Sequence, residues 1–301
     1  MTRVLFLLAP GVHLLDFAGP AQVFSTAADL GLPYTQHHLG ETTDIPTAQG
    51  IVLTAATDWP RSSPDDLIIV PGWRAPTLRG TGTFGAAALE RLTAHHAAGG
   101  TVASVCAGAD ALGRAGLLDG RRCTTHHDVQ DELAARHPRA IVVRDVLYVV
   151  DDRVVTSAGI ASGIDLALHL VASAHGPAQA ARVARAMVVY ARRNGSDPQA
   201  SVMLRHRDHL DDVVHRTQDA LDARFSESLR LPELAAIAGT AERTLTRHFR
   251  RATGMTPLRY QQLLRVERAE HLIEQGSTHE AAARVVGFED ARMLRRLRAR
   301  A

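Results

Sequence analysis

The first residue with evident chemical potential is a cysteine in a specific setting. In Thr101-Val102-Ala103-Ser104-Val105-Cys106-Ala107-Gly108-Ala109 a β-rich apolar run leads straight into Cys106, and small residues follow before a helical pattern begins. Strand, sharp turn and helix in that order make a nucleophile elbow, which presents a side chain on a tight turn at the end of a sheet. A sulfur held there faces a helix N-terminus, whose dipole favours thiolate, and small neighbours let backbone amides approach a ligand. An acid, Asp16, stands in Leu14-Leu15-Asp16-Phe17-Ala18-Gly19-Pro20 after the first strand pattern. Asp16 is either a partner of the cysteine or a cap for a helix starting at Gly19-Pro20.

A second constellation lies near the other end. Leu234-Ala235-Ala236-Ile237-Ala238-Gly239 reads as a short helix stopping at glycine, and Arg243 to Arg251 as the helix after it. Leu245 and Phe249 are four apart, so the arginines crowd the opposite face. Ala281 to Phe288 and Met293 to Arg298 repeat the pair. Each copy has an alanine four before a turn glycine: Ala235 with Gly239, and Ala283 with Gly287. The small residue allows close helix crossing and the glycine a left-handed turn. A helix so presented fits the DNA major groove. The alternative for any single arginine is a solvated helix face.

Charge follows this division. Residues 1–208 hold 18 Arg and 19 Asp+Glu, net −1. Residues 209–230 hold 3 and 5, net −2, whereas residues 231–301 hold 13 and 8, net +5. The positive excess sits on the tandem motif, as phosphate contact requires. All 34 basic side chains are arginine. A GC-rich coding bias accounts for that, and arginine also reads guanine and phosphate bidentately.

Other patterns are weaker. Gly80-Thr81-Gly82-Thr83-Phe84-Gly85 matches a dinucleotide fingerprint but lies too far beyond the preceding strand, so a loop is expected. His37-His38, His95-His96 and His126-His127 suggest metal, yet adjacent histidines point apart on a regular helix or strand. Neither a metal nor a cofactor is expected.

The elements that must position these groups are legible in the pattern. Val4 to Leu8, Leu67 to Val70, Thr101 to Val105, Ile141 to Val143 and Val154 to Thr156 read as strands, several of them continuous apolar runs. Pro20 to Ala28, Ala86 to Ala97, Val129 to Arg136, Gly163 to Ala174 and Ala178 to Tyr190 read as helices. Tyr148 to Val155 reads as a hairpin turning at Asp151-Asp152. The fold class is α/β, a largely parallel sheet, followed by an all-α tandem helix-turn-helix domain. The expected boundaries are 1–191 for the sheet domain, 192–208 for a linker rich in turn formers, and 209–301 for the helical domain, entered by a helix from His209 to Phe225. Nothing reaches membrane-spanning length, and two cysteines fit a reducing cytoplasm.

The string Arg247 to Tyr260 and the string Arg284 to Glu289 resemble the AraC/XylS regulators over residues 209–298. Leu14 to Pro20, Val70-Pro71-Gly72-Trp73, the Cys106 elbow, Gly116 to His126 and Thr156 to Asp165 resemble the DJ-1/PfpI superfamily, with its flavodoxin-like sheet. The combined order is that of GlxA-like transcription regulators. This resemblance implies a ligand pocket of Asp16, Gly72, Trp73, Cys106 and Ala107, with the Gly72 and Ala107 amides as an anion-binding pair. It implies base-edge contacts from Arg243, Thr246 and Arg247, a DNA contact from Thr244 beside them, phosphate contacts from Arg250, Arg251 and Arg259, and matching positions at Arg292, Arg295 and Arg296. It also implies promoter DNA and a small-molecule effector as partners, and a homodimer through the first domain.

Two departures stand out. PfpI-type hydrolases have histidine directly after the cysteine, and isocyanide hydratases threonine; here the position is Ala107, so no base is placed. Cys106 is accordingly a pocket residue, a redox-sensitive thiol or, if active, a catalyst with Asp16. In the second copy Arg298 stands where an apolar anchor is expected, so its reading helix is expected either to fray or to use its arginines mainly on phosphate. The alternative function is a cysteine-dependent, hydratase-like enzyme with a degenerate DNA-binding tail.

Overall fold

The computed structural model describes residues 1–74, 77–78, 84–189, 193–199, 201–274 and 276–299. It separates into two compact units, Met1–Gln199 and Ala200–Ala301. Residues 80–83 of the glycine-rich match lie outside the described residues.

In chain order the first unit consists of β1 Thr2–Leu7, α1 Leu14–Asp29, β2 Tyr34–Leu39, β3 Asp44–Pro46, β4 Val52–Thr54, β5 Leu67–Val70, α2 Ala86–Ala97, β6 Thr101–Val105, α3 Gly108–Arg114, β7 Arg122–Cys123, α4 Gln130–Arg136, β8 Ile141–Val142, β9 Tyr148–Asp151, β10 Val154–Ser157, α5 Ser162–His175 and α6 Pro177–Ala186. The main sheet runs β2-β1-β5-β6-β10-β9. Its pairs are parallel except for β9, which turns back on β10. Strands β5 (LIIV) and β10 (VVTS) are buried along their whole length; the continuous apolar run of β5 is what a strand covered on both faces requires. The β9–β10 turn places Asp152 at φ 54°, a conformation short polar side chains tolerate.

Several elements differ from expectation: α6 ends at Ala186, short of Tyr190, the short strands β3, β4 and β7 carried no signal, and the entry helix of the second unit spans Asp212–Ala223 instead of His209 to Phe225. Helix α1 begins at Leu14, not Pro20, because Gln49 supplies the missing cap: its Oε1 accepts from the Leu14 N–H at 3.0 Å. Pro20 then lies inside the helix, where it removes one i→i−4 bond, the one aimed at the Asp16 carbonyl. Strand β8 pairs with β7 in a separate two-stranded sheet and does not extend the main one. Strand β2 (YTQHHL) is polar and gave no apolar signal; it lies at the sheet edge beside β1.

The second unit contains α7 Val202–Arg205, α8 Asp212–Ala223, α9 Leu231–Ile237, α10 Glu242–Thr253, α11 Pro257–Glu274, α12 His279–Val285 and α13 Ala291–Arg298. Two small cores hold it. Leu234, Leu245, Phe249, Tyr260 and Leu264 belong to the first, and Val266, Ala269, Ala283, Leu294 and Leu297 to the second. The long α11 gives residues to both and joins the two helix-turn-helix copies.

The expected linker is divided between the units. Arg193 binds Asp165 at 2.6 Å in the first, while Val202 is buried in the core of the second.

Candidate functional site

Four adjacent parallel strands each deliver one part of a site at their C-terminal ends, where ligands bind in open α/β sheets. After β1 comes Asp16, after β5 Gly72, after β6 Cys106, and after β10 Gly159-Ile160. Cys106 adopts φ 54°, the strained turn of an elbow. Its N–H donates to the Ser157 carbonyl (3.0 Å), and its own carbonyl accepts from Thr125 Oγ1 (2.7 Å). Asp16 is fully buried, and its Oδ1 accepts from the Ile160 N–H at 2.6 Å.

Close approach explains two glycines. A Cβ on Gly72 would lie 2.5 Å from Asp16 Oδ2 and 2.7 Å from Cys106 Cβ. A Cβ on Gly159, at φ 105°, would lie 2.3 Å from Cys106 Cβ. Only hydrogen fits between these backbones and the pair.

Burial pushes the Cys106 thiol well above its ordinary range, and the Asp16 carboxyl beside it adds to the shift; the Ala107 N–H, facing the sulfur, opposes without prevailing. Desolvation likewise raises Asp16, against hydrogen bonds from Ile160, Cys106 and Gly72 and the charge of His13. The helix dipole thus loses to burial here. The Gly72 and Ala107 amides point to Asp16 and to the sulfur respectively. Trp73 is 2% exposed and meets the Phe84 ring edge-on at 5.9 Å, so it packs behind the site.

Asp16 does not cap a helix at Gly19-Pro20, since α1 already passes through it. Sequence reasoning gave no role to Ile160, Thr125 or His13. Ile160 and Thr125 act through a backbone amide and a hydroxyl in segments quoted only for their resemblance.

The His126 and His127 rings do not point apart. They sit 4.1 Å apart because His126, with ψ 140°, caps a single 3-10 turn and belongs to neither helix nor strand. With Asp128 they bring three possible ligand atoms within 4.8 Å. Burial, then the neighbouring His127, holds His126 below the usual histidine range.

On the second unit α10 buries Leu245 and Phe249 completely and exposes Arg243, Arg247, Arg250 and Arg251. Thr244 and Thr246 are half-buried, and Thr246 Oγ1 donates to the Glu242 carbonyl at 2.9 Å. Arg259 on α11 is half-buried. His248 steadies the helix through Asp211, at 2.7 Å, which also caps α8.

The second reading helix, α13, is not left loose. Asp290 caps it through the Arg292 and Met293 N–H groups. Ala291, Leu294 and Leu297 anchor it in the core, so Leu297 does what Arg298 cannot. Arg298 pairs with Glu270 at 3.0 Å. Arg292, Arg295 and Arg296 are exposed. Arg292 and Arg296 line a groove of about 650 Å³ together with Ser226, Gln261 and Arg265.

Arg265 was not foreseen. Its guanidinium donates to the carbonyls of Phe225 (2.7 Å), Glu227 (2.8 Å) and Gly287 (2.8 Å), and lies 5.5 Å from the centre of the Phe288 ring. On a polar helix it reads as one more surface charge, and no sequence signal separates it.

The profile of the DJ-1/PfpI family matches residues 2–173, and a helix-turn-helix domain profile matches residues 234–301. The HTH-type transcriptional regulator GbdR of Pseudomonas aeruginosa is 31% identical over 184 residues, 60% of this chain and 48% of that protein. This chain therefore aligns with about half the length of that relative. The HTH-type transcriptional regulator CdhR of the same species is 27% identical over 273 residues, 90% of this chain and 80% of that one. Isonitrile hydratase of Pseudomonas putida is 35% identical over 172 residues, 55% of this chain and 68% of the enzyme. The chain belongs to the DJ-1/PfpI family, and its family domain is followed by an AraC-type helix-turn-helix domain.

Proposed function

We propose that this chain is a sequence-specific, DNA-binding transcription regulator whose DJ-1/PfpI domain senses a small metabolite. The observation that supports it most is the pairing, in both copies, of a buried apolar row with an exposed arginine row on the second helix. A helix of that kind enters the major groove, where arginine reads guanine and the outer arginines hold phosphate. Arg243, Thr246 and Arg247 face base edges in this reading, with Thr244 in contact with DNA beside them and Arg292, Arg295 and Arg296 in the second copy. Arg250, Arg251 and Arg259 hold phosphate. Asp16, Gly72, Cys106 and Ala107 form the effector site, with Trp73 behind it. The reading includes a homodimer through the first domain and a cytoplasmic location. No helix among the described residues is long and apolar enough to cross a membrane.

The test is fluorescence anisotropy of the full chain with DNA from upstream of its own gene, against a scrambled duplex, over a salt series. Preferential binding with a steep salt slope, lost in Arg247→Ala, supports the reading. Equal weak binding to both duplexes counts against it.

A second reading, a cysteine-dependent hydratase-like enzyme, draws on the adjacent Asp16 and Cys106 and on the similarity to isonitrile hydratase. It predicts isonitrile turnover that Cys106→Ala abolishes. A regulator keeps operator binding in that variant.

A further inference from the structure

Residues 193–199 close the first unit as a strap over its surface. The near end is held by Arg193, which grips Asp165 through its N–H, Nε and Nη2, and by Gly195, whose carbonyl accepts from the Leu147 and Tyr148 N–H groups. The far end is held by Gln199. Its Nε2 donates to the carbonyls of Thr125 (3.0 Å) and Val146 (3.2 Å), its Oε1 accepts from the His127 N–H (2.9 Å), and its own N–H donates to Asp145 Oδ1 (3.0 Å). One donor and the acceptor of its amide side chain are thus engaged on the turn that follows β7, and the other donor on Val146 before β9.

That turn also supports the elbow. Thr125 donates its hydroxyl hydrogen to the Cys106 carbonyl at 2.7 Å, both groups being buried. Two hydrogen-bonded steps therefore join the reactive turn to the last residue before the chain enters the DNA-binding unit. We propose that Gln199 is a latch, a positioning residue through which the state of the Cys106 pocket is passed to the segment leading into the second unit. The proposal rests on the regulator reading and assigns the first hydrogen-bonded step of its regulation.

The latch is built to open at small cost. The buried Thr125 carbonyl keeps a second donor, Gln130 Nε2 at 3.1 Å, when Gln199 leaves. The His127 N–H lies where water reaches it, so it exchanges one partner for another. No donor or acceptor of the Thr125–His127 turn is then left buried and unpaired, which is the condition under which losing hydrogen bonds becomes expensive. A ligand or adduct at Cys106 acts at the other end. It bears on the strained Cys106-Ala107 peptide, whose carbonyl Thr125 holds. Loss of that hold lets the 125–127 turn, and with it Gln199, shift between two arrangements.

The experiment uses the full chain with N-ethylmaleimide as the pocket probe. Peptide mass identifies addition at the Cys106 sulfur, and tryptophan fluorescence checks that the unit stays folded. Amide hydrogen exchange is followed across residues 193–199. The expected result is at least fivefold faster exchange in the strap once Cys106 carries the adduct. Gln199→Ala exchanges at the fast rate without adduct and gains nothing from it, while Gln179→Ala, on α6, behaves as the parent. A second variant, Thr125→Val, cuts the relay at the elbow; its strap rate does not respond to the adduct. An adduct that leaves the parent's strap rate unchanged overturns the proposal, as does a Gln199→Ala strap that exchanges like the parent's. DNA anisotropy is read separately. If exchange coupling holds while the chain binds no DNA, the latch stands and the regulator reading falls.

Discussion

Gly239 and Gly287 hold the same place in the two helix-turn-helix copies, and both are left-handed, at φ 66° and 86°. A methyl group added to each meets different surroundings. At Gly239 nothing lies within 4 Å. At Gly287 the new Cβ would sit 2.0 Å from the Ser226 carbonyl oxygen and 2.8 Å from its carbon, both backbone atoms that no rotamer change can move. Gly239→Ala therefore incurs only the left-handed strain of an alanine, about 1–2 kcal/mol. Gly287→Ala incurs the same strain plus overpacking against backbone, about 1–3 kcal/mol more. It also pushes away the carbonyl that Arg265 holds at 2.8 Å. The expected difference between the variants is about 2 kcal/mol, or roughly thirtyfold in the folding equilibrium of the second unit. Both tryptophans, Trp59 and Trp73, lie in the first unit, so their fluorescence reports that unit alone. Urea titration followed by helical circular dichroism should show an earlier second-unit transition in Gly287→Ala than in Gly239→Ala, with the fluorescence transition unmoved in both. Equal shifts, within about 0.5 kcal/mol, would refute the reasoning, because they would mean that Ser226 yields freely and that the turn is not clamped.

Asp16→Asn removes a carboxyl that opposes ionisation of Cys106, so alkylation at fixed pH should speed up by about ten- to a thousandfold, the range of one to three pKa units; an unchanged rate would leave burial as the sole cause. Both cysteines are held above their ordinary values, Cys123 at about 11, so the folded state keeps protons that the unfolded thiols release near 8.5. Stability of the first unit is therefore full below that pH and declines above it, by up to roughly 1.4 kcal/mol per pH unit for each thiol. Urea midpoints between pH 8 and 9.5, compared with a Cys106→Ala/Cys123→Ala chain whose slope should flatten, check the sign. Arg193→Ala strips the nearly buried Asp165 of its half-exposed cation and should destabilise the first unit by about 1–3 kcal/mol, less than a fully buried pair because solvent screens the guanidinium, an effect Asp165→Asn in the same chain should partly relieve. On the DNA side, Arg247→Ala should weaken binding by about five- to 150-fold and relax preference at one base pair, whereas Arg250→Ala should weaken all duplexes alike and flatten the salt slope by about one; a uniform loss in both would reduce Arg247 to a phosphate contact.

The architecture was legible where pattern and period coincide. Short β-rich runs such as Leu67 to Val70 and Thr101 to Val105 read as buried strands by their length and β-branched content, and the spacing of Leu245 and Phe249 fixed which side of α10 faces inward. Helix α1 was misplaced because proline favours the first helical position, and the group that starts the helix earlier, Gln49, lies 35 residues from Leu14. Strand β2 was missed because hydrogen bonding to β1 holds it, and its own side chains carry no alternating signal. Cys106 and Asp16 were legible as types at the ends of strands. The third member of their site, the Ile160 amide, comes from a residue 144 positions away and is a group every non-proline residue possesses. Arg298 correctly marked a missing anchor, but Leu297, one position earlier, fills the same gap once the helix turns by a residue.

The sequence and the structure disagree most on the charge of the elbow sulfur, and magnitudes decide between them. The dipole argument grants a thiolate at a helix N-terminus about 0.3–1 kcal/mol at an exposed site. Helix α3 has seven residues, and Cys106 is 8% exposed. Taking an ion out of water costs several kcal/mol after relaxation, and here a carboxyl stands on the same side. One helix end and one amide do not offset that, so the resting site holds a thiol. A thiol is a weak nucleophile, and no base follows it, since Ala107 takes the position where hydrolases of this family have histidine. What the site does offer is shape: a strained turn, two glycines that admit no side chain, and an acid with a hydrogen bond to the neighbouring strand's end. Those features suit the effector-sensing role proposed above, in which a ligand is held without the sulfur having to react.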